Sequence, residues 1–369
     1  MIPQTNPKLS YIAHKNEIDT AIAAMLDAGR YILGEQVRKF EEEFAAFLGA
    51  KYSIGVGNGT DAVELALRAL KIGQGDVVAT VAHTAVATVA AIELSGAKPL
   101  FIDIRPDTFV MDPEKLKLAL TNNRSASVKA VLPVHLYGNV SEVFKILEVA
   151  SEFGIPVIED CAQAHGAKMN GRFAGTSGVI SAFSFYPTKN LGALGDGGAV
   201  VTSDENLKNQ VTLLREYGWK ERYVSHIAGK NSRLDEIQAA ILRVKLKYLQ
   251  EENSTRQNLA RMYINGLGGL PVTLPVWGIA ESHVFHQFVI RTSRRDDLKA
   301  FLKTHGVDTL IHYPVPVHLQ PAYLNSLCGD GGLKQTEMVA GEILSLPMFP
   351  QLSTEQVSEI VSIIRKFFE

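Results

Sequence analysis

Between residues 53 and 202, short apolar runs alternate with stretches of helical periodicity, and no other feature narrows the fold as far. The runs at 53–56, 76–81, 99–103, 130–133, 157–159, 181–185 and 199–202 read as strands. The segments 61–70, 85–94 and 140–153 read as helices; in the first, Val63, Leu65, Ala66, Leu67 and Leu70 supply the apolar positions. Strands that are apolar throughout need cover on both faces, and intervening helices permit parallel pairing. The expectation is an α/β fold with a mostly parallel central sheet flanked by helices. Two helices, 15–27 and 34–48, precede it, with 29–34 between them. From Asn231 the pattern changes. A long helix at about 234–266 carries Leu234, Ile237, Ile241, Val244 and Tyr248 on one stripe. A strand at 284–290 and helices at 295–305, 334–342 and 354–367 follow. At 369 residues the chain exceeds one core of common size. We expect a large α/β domain, residues 1–245, and a smaller C-terminal α+β domain, residues 246–369, hinged on the long helix.

Composition excludes more than it assigns. A formal net charge of −2 argues against a non-specific nucleic-acid or anionic-membrane surface. The N-terminus lacks a basic stretch followed by an apolar run, and no apolar segment is long enough to span a bilayer. Of the two cysteines, Cys161 falls at a buried-looking strand end, which disfavours a disulfide framework. The expectation is a cytoplasmic protein.

Three segments carry chemistry. Phe183 to Gly198 leads a strand into Lys189 and then a glycine-rich turn with Gly192, Gly195, Gly197 and Gly198. A lysine there has little packing value, because burying its head is costly unless something needs it. A carbonyl cofactor that forms a Schiff base would need it; the alternative is an ordinary surface lysine. Ser184, on the preceding strand, could add a phosphate contact. The second segment, Gly57-Asn58-Gly59-Thr60-Asp61, follows a strand and opens a helix. It is either a phosphate cradle at a helix N-terminus or a tight turn with Thr60 as cap. Counting from Gly55, Thr60 stands where the third glycine of a dinucleotide fingerprint belongs, so that reading is excluded. The third is Val157-Ile158-Glu159-Asp160-Cys161-Ala162-Gln163. A carboxylate at the end of a buried strand faces the crevice where open α/β sheets bind ligands. An ionised Asp160 there would favour a protonated pyridine ring, or else cap the next turn. Glu159 alternates to the other side and reads as structural, as do His135, His165 and His226. No spacing of metal ligands and no G-x-S-x-G elbow is present.

These segments, in order, resemble the pyridoxal-phosphate sugar aminotransferases of the DegT/DnrJ/EryC1/StrS family over nearly the whole chain. The resemblance rests on Gly59–Ala62, Glu159–Ala167, Ser184–Ala193, Asn231–Ala240 and Ile311–Pro316. It implies the fold-type-I aminotransferase fold and pyridoxal 5′-phosphate as cofactor. By position, Lys189 matches the Schiff-base lysine and proton shuttle, and Asp160 the partner of the pyridine nitrogen. Gln163 matches the residue that bonds the ring hydroxyl. Gly59, Thr60 and Ser184 match the phosphate site. Asn231 matches a residue that reaches the neighbouring subunit's phosphate, implying a homodimer with shared active sites. Tyr186, His312 and Tyr313 match residues that anchor a nucleotide-linked sugar. One departure stands out: many members place an aromatic over the cofactor ring where this chain has Ala85, leaving nearby His83 as the candidate.

Some relatives have histidine at the Lys189 position and perform dehydration; lysine implies transamination. The resemblance points to L-glutamate as amino donor and to a dTDP-linked 3-keto-6-deoxyhexose as acceptor. C4-keto and UDP-linked sugars are the alternatives, followed by a cofactor-dependent dehydratase and a non-catalytic cofactor-binding sensor.

Overall fold

The computed structural model describes residues 1–124, 128–140 and 142–369. Seven strands follow the alternation: β1 (Tyr52–Val56), β2 (Val77–Val81), β3 (Lys98–Ile102), β4 (Val128–Val131), β5 (Ile158–Asp160), β6 (Ile180–Ser184) and β7 (Gly198–Thr202). They form two four-stranded blocks, one of which gains β9 (Leu327–Cys328) from far along the chain. Parallel bridges Val131↔Val157 and Val134↔Asp160 join the blocks. The resulting order is β9-β3-β2-β4-β5-β6-β7-β1, parallel except for β7, which runs against both neighbours. The mostly parallel sheet expected from sequence is present.

Strand alternation explains why both faces are covered. In β2, Val77, Ala79 and Val81 point into one apolar cluster and Val78 into another; in β4, Val131 and Ala130 divide in the same way. α4 (Gly59–Ala69) buries Ala62, Leu65 and Ala66 against the second cluster. On the far side of β6 and β7, α3 (Glu35–Leu48) contributes Phe40 and Phe44, which meet Phe183 and Phe185 edge-on.

Beyond the sheet, β8 (Phe288–Arg291) pairs antiparallel with β10 (Ile343–Leu346). α10 (Leu249–Leu267), α11 (Arg295–Thr304) and α13 (Thr354–Phe368) pack Tyr263, Leu298 and Ile360 around them. Ile2 joins this same core and bridges to Val307. Among the described residues, no helix is long and apolar enough to cross a membrane.

Three expectations need correction. The single helix at 234–266 is two helices, α9 (Glu236–Leu246) and α10, interrupted at Lys247–Tyr248. No proline or glycine signals the break; Tyr248 turns instead to stack on His14, with ring centroids 4.0 Å apart, and donates its hydroxyl to Glu17. The strand at 284–290 begins only at Phe288, because Phe285 has φ +44° and Val284 N–H is taken by the Gly138 carbonyl. The helix expected at 140–153 runs Val143–Glu152, since Val140 N–H bonds Ser282 and Glu142 has φ +71°; Ser141, inside that expected helix, lies outside the described residues. A short helix, Pro7–Ala13, was not anticipated.

Candidate active site

The turns after β1, β2, β5 and β6 meet at the carboxyl edge of the sheet, where ligands of open α/β sheets bind. They enclose a cavity of about 250 Å³ lined by Gly59, Thr60, Asp160, Gln163, Ser184, Tyr186 and Lys189. Seven of the sequence-derived candidates therefore converge.

The first wall is the N-terminus of α4. Asn58, not Thr60, caps it: Asn58 Oδ1 accepts from Asp61 N–H (2.8 Å), and Asn58 O from Ala62 N–H (3.1 Å). Helix geometry leaves the Gly59 and Thr60 N–H groups without intrahelical acceptors, beside the positive end of the dipole. Opposite them stands Ser184. A Cβ on Gly59 would lie 2.5 Å from Ser184 Cβ and 3.2 Å from its Cα. The cradle tolerates only glycine at its lip. Gly59→Ala is expected to weaken phosphate-ester binding about 10- to 100-fold and to cost about 1–3 kcal/mol of stability through overpacking. Cofactor titration of the cofactor-free variant checks the first figure and thermal unfolding the second; wild-type affinity would remove the cradle from this turn.

Asp160 forms the floor and is 4% exposed. Its Oδ2 accepts from Thr88 Oγ1 (2.8 Å) and its Oδ1 from Ala162 N–H (3.1 Å). Burial raises its pKa, opposed by those two donors and by the Lys189 charge. A buried carboxylate with only neutral donors bonded to it suits a cationic N–H on a ligand. Glu159 behaves oppositely. Its carboxylate accepts from Gly175, Ser177 and Gly178 N–H (3.0, 2.8 and 2.7 Å) and pairs with His135 Nε2 at 2.9 Å. Burial pushes its pKa up, but these donors more than offset that and it ends lowered. His135, Glu159 and Cys161 lie close enough to suggest a metal cluster, yet the Glu159 oxygens are already occupied by N–H donors. Glu159 and His135 are structural, as expected.

Lys189 sits in a clamped turn. Its N–H donates to Tyr186 O (2.8 Å), and Ala193 N–H to Phe185 O (2.8 Å). A Cβ on Gly192 would lie 2.5 Å from Pro187 O. The turn's glycines thus admit the chain's own backbone, as well as leaving room beside the lysine. Lys245 Nζ, buried in α9, donates to Gly192 O (2.8 Å). Burial lowers the Lys189 amine to about 8, with Asp160 pulling the other way. At pH 7.5 about a quarter of such amines are neutral, against about one in a thousand for an ordinary lysine. The rate at which cofactor-free protein captures an aldehyde cofactor should therefore rise through pH 8 and level off near pH 9. A profile still climbing as an ordinary lysine's would, toward pH 10, would contradict this environment.

Gln163, 5% exposed, takes Tyr137 N–H on its Oε1 (2.7 Å) and donates from Nε2 to Tyr313 OH (3.2 Å). Burial raises the Tyr313 hydroxyl to about 12, opposed by Gln163. His312 Nδ1 meets Ser345 Oγ at 2.8 Å, and burial lowers its pKa to about 4. Tyr186 lines the cavity while remaining 54% exposed.

Four candidates do not line the cavity: His312 and Tyr313, the latter bonded to Gln163 of its wall, and Asn231 and His83. Asn231 is exposed and lies outside the cavity wall of its own chain. His83 is buried behind that wall, its Nε2 2.9 Å from Tyr137 OH, while Thr84 and Ala85 take the facing positions. Burial pushes His83 down to about 4, so it is neutral. Sequence reading also missed Thr88, Asn58, Asp196 and Lys245. For Thr88 a signal existed: Thr84, just before a mostly apolar helix, α5 (Val86–Leu94), and Thr88 in its first turn stand four apart. Lys230, next to Asn231, is engaged by Asp61 (2.6 Å) and Glu64 (2.8 Å). A larger open depression, about 800 Å³ between α2 (Lys15–Ala28), α3 and α9, gathers no comparable set of groups.

The residues present fit pyridoxal phosphate: an anion cradle at a helix N-terminus, a carboxylate for the ring nitrogen, and an amine that burial keeps partly neutral. Comparison with known proteins agrees. Residues 13–365 match the DegT/DnrJ/EryC1/StrS aminotransferase family. The chain is similar to a dTDP-3-amino-3,4,6-trideoxy-alpha-D-glucose transaminase of Streptomyces venezuelae, 43% identical across 100% of this chain and 96% of that one. It is 40% identical to a UDP-N-acetyl-3-dehydro-alpha-D-glucosamine 3-aminotransferase of Acidithiobacillus ferrooxidans, over 99% and 97%. A 3-oxo-glucose-6-phosphate:glutamate aminotransferase of Bacillus subtilis is 34% identical over 94% and 78%. Among solved structures, S. venezuelae DesV in complex with a ketimine intermediate superposes with TM-score 0.96 at 43% identity, covering 100% of this chain and 98% of that one. B. subtilis NtdA with bound cofactor PMP gives 0.89 at 32%, covering 96% and 82%.

Proposed function

The chain belongs to the DegT/DnrJ/EryC1/StrS aminotransferase family, and from that premise we propose that it moves an amino group from L-glutamate to C3 of a dTDP-linked keto-deoxysugar, working as a homodimer with shared active sites. It is a pyridoxal-phosphate-dependent sugar aminotransferase of the fold-type-I class. The observation that carries the reading is the convergence of the Lys189 amine, the buried Asp160 carboxylate and the α4 N-terminus in one cavity. When bound, pyridoxal phosphate supplies a carbonyl for amines and a protonated ring that draws electrons from the neighbouring carbon.

The chain's own groups do the rest. Gly59 and Thr60 N–H, with the Thr60 and Ser184 hydroxyls, would hold the phosphate end. Asp160 would hold a proton on the ring nitrogen by opposite charge in a dry site. Gln163 Nε2, one hydrogen of which goes to Tyr313 OH, would donate the other to the ring oxygen. Lys189 Nζ, neutral in part, would hold the cofactor's carbonyl carbon and, once the donor's amine replaces it, would move a proton at the donor's α-carbon. At about 250 Å³ the cavity holds a small cofactor and little more. The nucleotide must therefore lie over its mouth, where Tyr186 is exposed and where His312 and Tyr313 approach. That Asn231 is exposed and outside its own cavity supports a role for it at a second copy's site. The dTDP assignment and C3 follow the Streptomyces relative, and glutamate the Bacillus one; the Acidithiobacillus relative keeps UDP-linked sugars as the second reading.

The test is spectroscopic. Cofactor added to purified protein should give a yellow lysine-linked band that L-glutamate converts to the aminated form, and Lys189→Ala should show neither. A panel of dTDP- and UDP-linked 3- and 4-ketosugars then identifies which restores the yellow form. A lysine-linked band indifferent to glutamate would overturn the donor assignment; no band at all would overturn the function.

A further inference from the structure

Tyr137 touches three elements of the site without lining the cavity. It follows β4 in a short 3-10 turn, Leu136–Gly138, with φ +59°, a region costly for an aromatic side chain and open to glycine. A residue held there points to a constraint imposed by its surroundings. The next residue, Gly138, also has positive φ, and a Cβ placed on it would lie 2.8 Å from Val284 Cγ2 and 3.1 Å from Gln163 O.

What the turn achieves is a divergence of the residue's two ends. The backbone N–H donates to Gln163 Oε1 (2.7 Å), so the carboxamide oxygen is consumed and the NH₂ must face Tyr313 OH and the cavity. The hydroxyl, 2% exposed by residue, lies between His83 Nε2 at 2.9 Å and the His312 carbonyl. A carbonyl can only accept. The single hydroxyl proton therefore goes to His312 O, and His83 must be the neutral Nε2–H tautomer donating to Tyr137. The segment His312–Tyr313 is thereby tied to the sheet twice, by Tyr137 OH at one residue and Gln163 Nε2 at the next.

We propose that Tyr137 is a positioning residue that fixes the amide orientation of Gln163 on the cofactor side and holds the His312–Tyr313 segment on the sugar side. This rests on the aminotransferase reading above. It makes the two half-reactions separable. Only the half that uses the ketosugar depends on His312–Tyr313, whereas both halves use Lys189, Asp160 and Gln163.

Tyr137→Phe keeps the ring among Phe109 and its neighbours and keeps the N–H to Gln163, while deleting the hydroxyl. Expected are an apparent KM for the nucleotide ketosugar raised on the order of 10- to 100-fold, and a glutamate half-reaction within about twofold of wild type. The dissociation constant for pyridoxal phosphate, titrated into cofactor-free protein by fluorescence quenching, should also stay within about twofold. Amide exchange should rise in residues 310–316 and not at the α4 N-terminus. An unchanged sugar half, or equal losses in both halves with weaker cofactor binding, would overturn the proposal. If wild type itself shows no glutamate exchange, the functional reading fails instead, and the two failures are distinguishable. Imidazole nitrogen NMR on wild type supplies a test without a variant: His83 should be the neutral Nε2–H tautomer from pH 5.5 to 9. The Nδ1–H tautomer would reverse the proton assignment and sink the proposal.

Discussion

Lys189→Ala is expected to lower steady-state turnover by at least about 10⁴-fold while leaving the protein folded. One nitrogen performs two tasks, attachment and proton movement, and no other amine lines the cavity among the described residues. The folding side of the expectation follows from burial. The amine is held at about 8 in the folded protein, below the 10.5 of an ordinary lysine. A depressed lysine pKa means that the unfolded chain binds more protons between those values, so wild-type stability rises with pH across that window. Below it, the buried ammonium detracts from stability. The cofactor-free alanine variant should therefore unfold at or above the wild-type temperature at pH 7, and wild type should gain on it by pH 9.5. Thermal scans of both proteins at the two pH values check this. A variant that melts well below wild type at pH 7 would mean that Lys189 holds the turn together rather than serving the chemistry.

Asp160→Asn should slow proton transfer at the donor's α-carbon by about 10²- to 10⁴-fold, with the fold intact. The amide is nearly isosteric: its oxygen can accept from Ala162 N–H and its NH₂ can donate to Thr88 Oγ1, but it has no charge to offer a protonated ring. Burial already raises the Asp160 pKa, and a cationic N–H on the ligand would favour its ionised form. Cofactor affinity should fall with the rate, by about 10- to 100-fold. Single turnovers with α-deuterated donor separate the two effects: the isotope effect should grow as proton transfer becomes limiting. A single-turnover rate near wild type would remove Asp160 from this role.

Much of the site was legible because its chemistry demands odd residues in odd places. A lysine between glycines after an apolar strand, an aspartate ending one, and Gly-Thr opening a helix each violate the expected pattern for a core. Lys245 was illegible for the opposite reason: a lysine on an amphipathic helix looks solvated, and only the fold shows that its ammonium reaches the Gly192 carbonyl. Tyr137 was hidden inside a turn that sequence reads as punctuation. The break between α9 and α10 left no mark because its cause, a stack on His14, lies more than two hundred residues away in sequence. His83 shows the limit of reasoning by adjacency. Next to the facing positions in sequence, it turns to the other side of the wall, where Tyr137 and Phe109 enclose it.

The chain is laced in both directions: Ile2 belongs to the core built by the last third, and Leu327–Cys328 completes the sheet built by the first half. For a protein emerging from the ribosome this sets a timetable. The outer edge of β3 stays an unpaired, apolar-flanked strand until residue 328 has left the exit tunnel, an aggregation-prone state that lasts for most of synthesis. The first residues, though made first, must wait for Val307 before they find their place. The cavity walls from Gly59 to Lys189 can assemble early, but the segment from His312 to Tyr313 closes over them only near the end of translation. A nascent chain would thus form the walls around Lys189 before the segment that bonds Tyr137 and Gln163 reaches them.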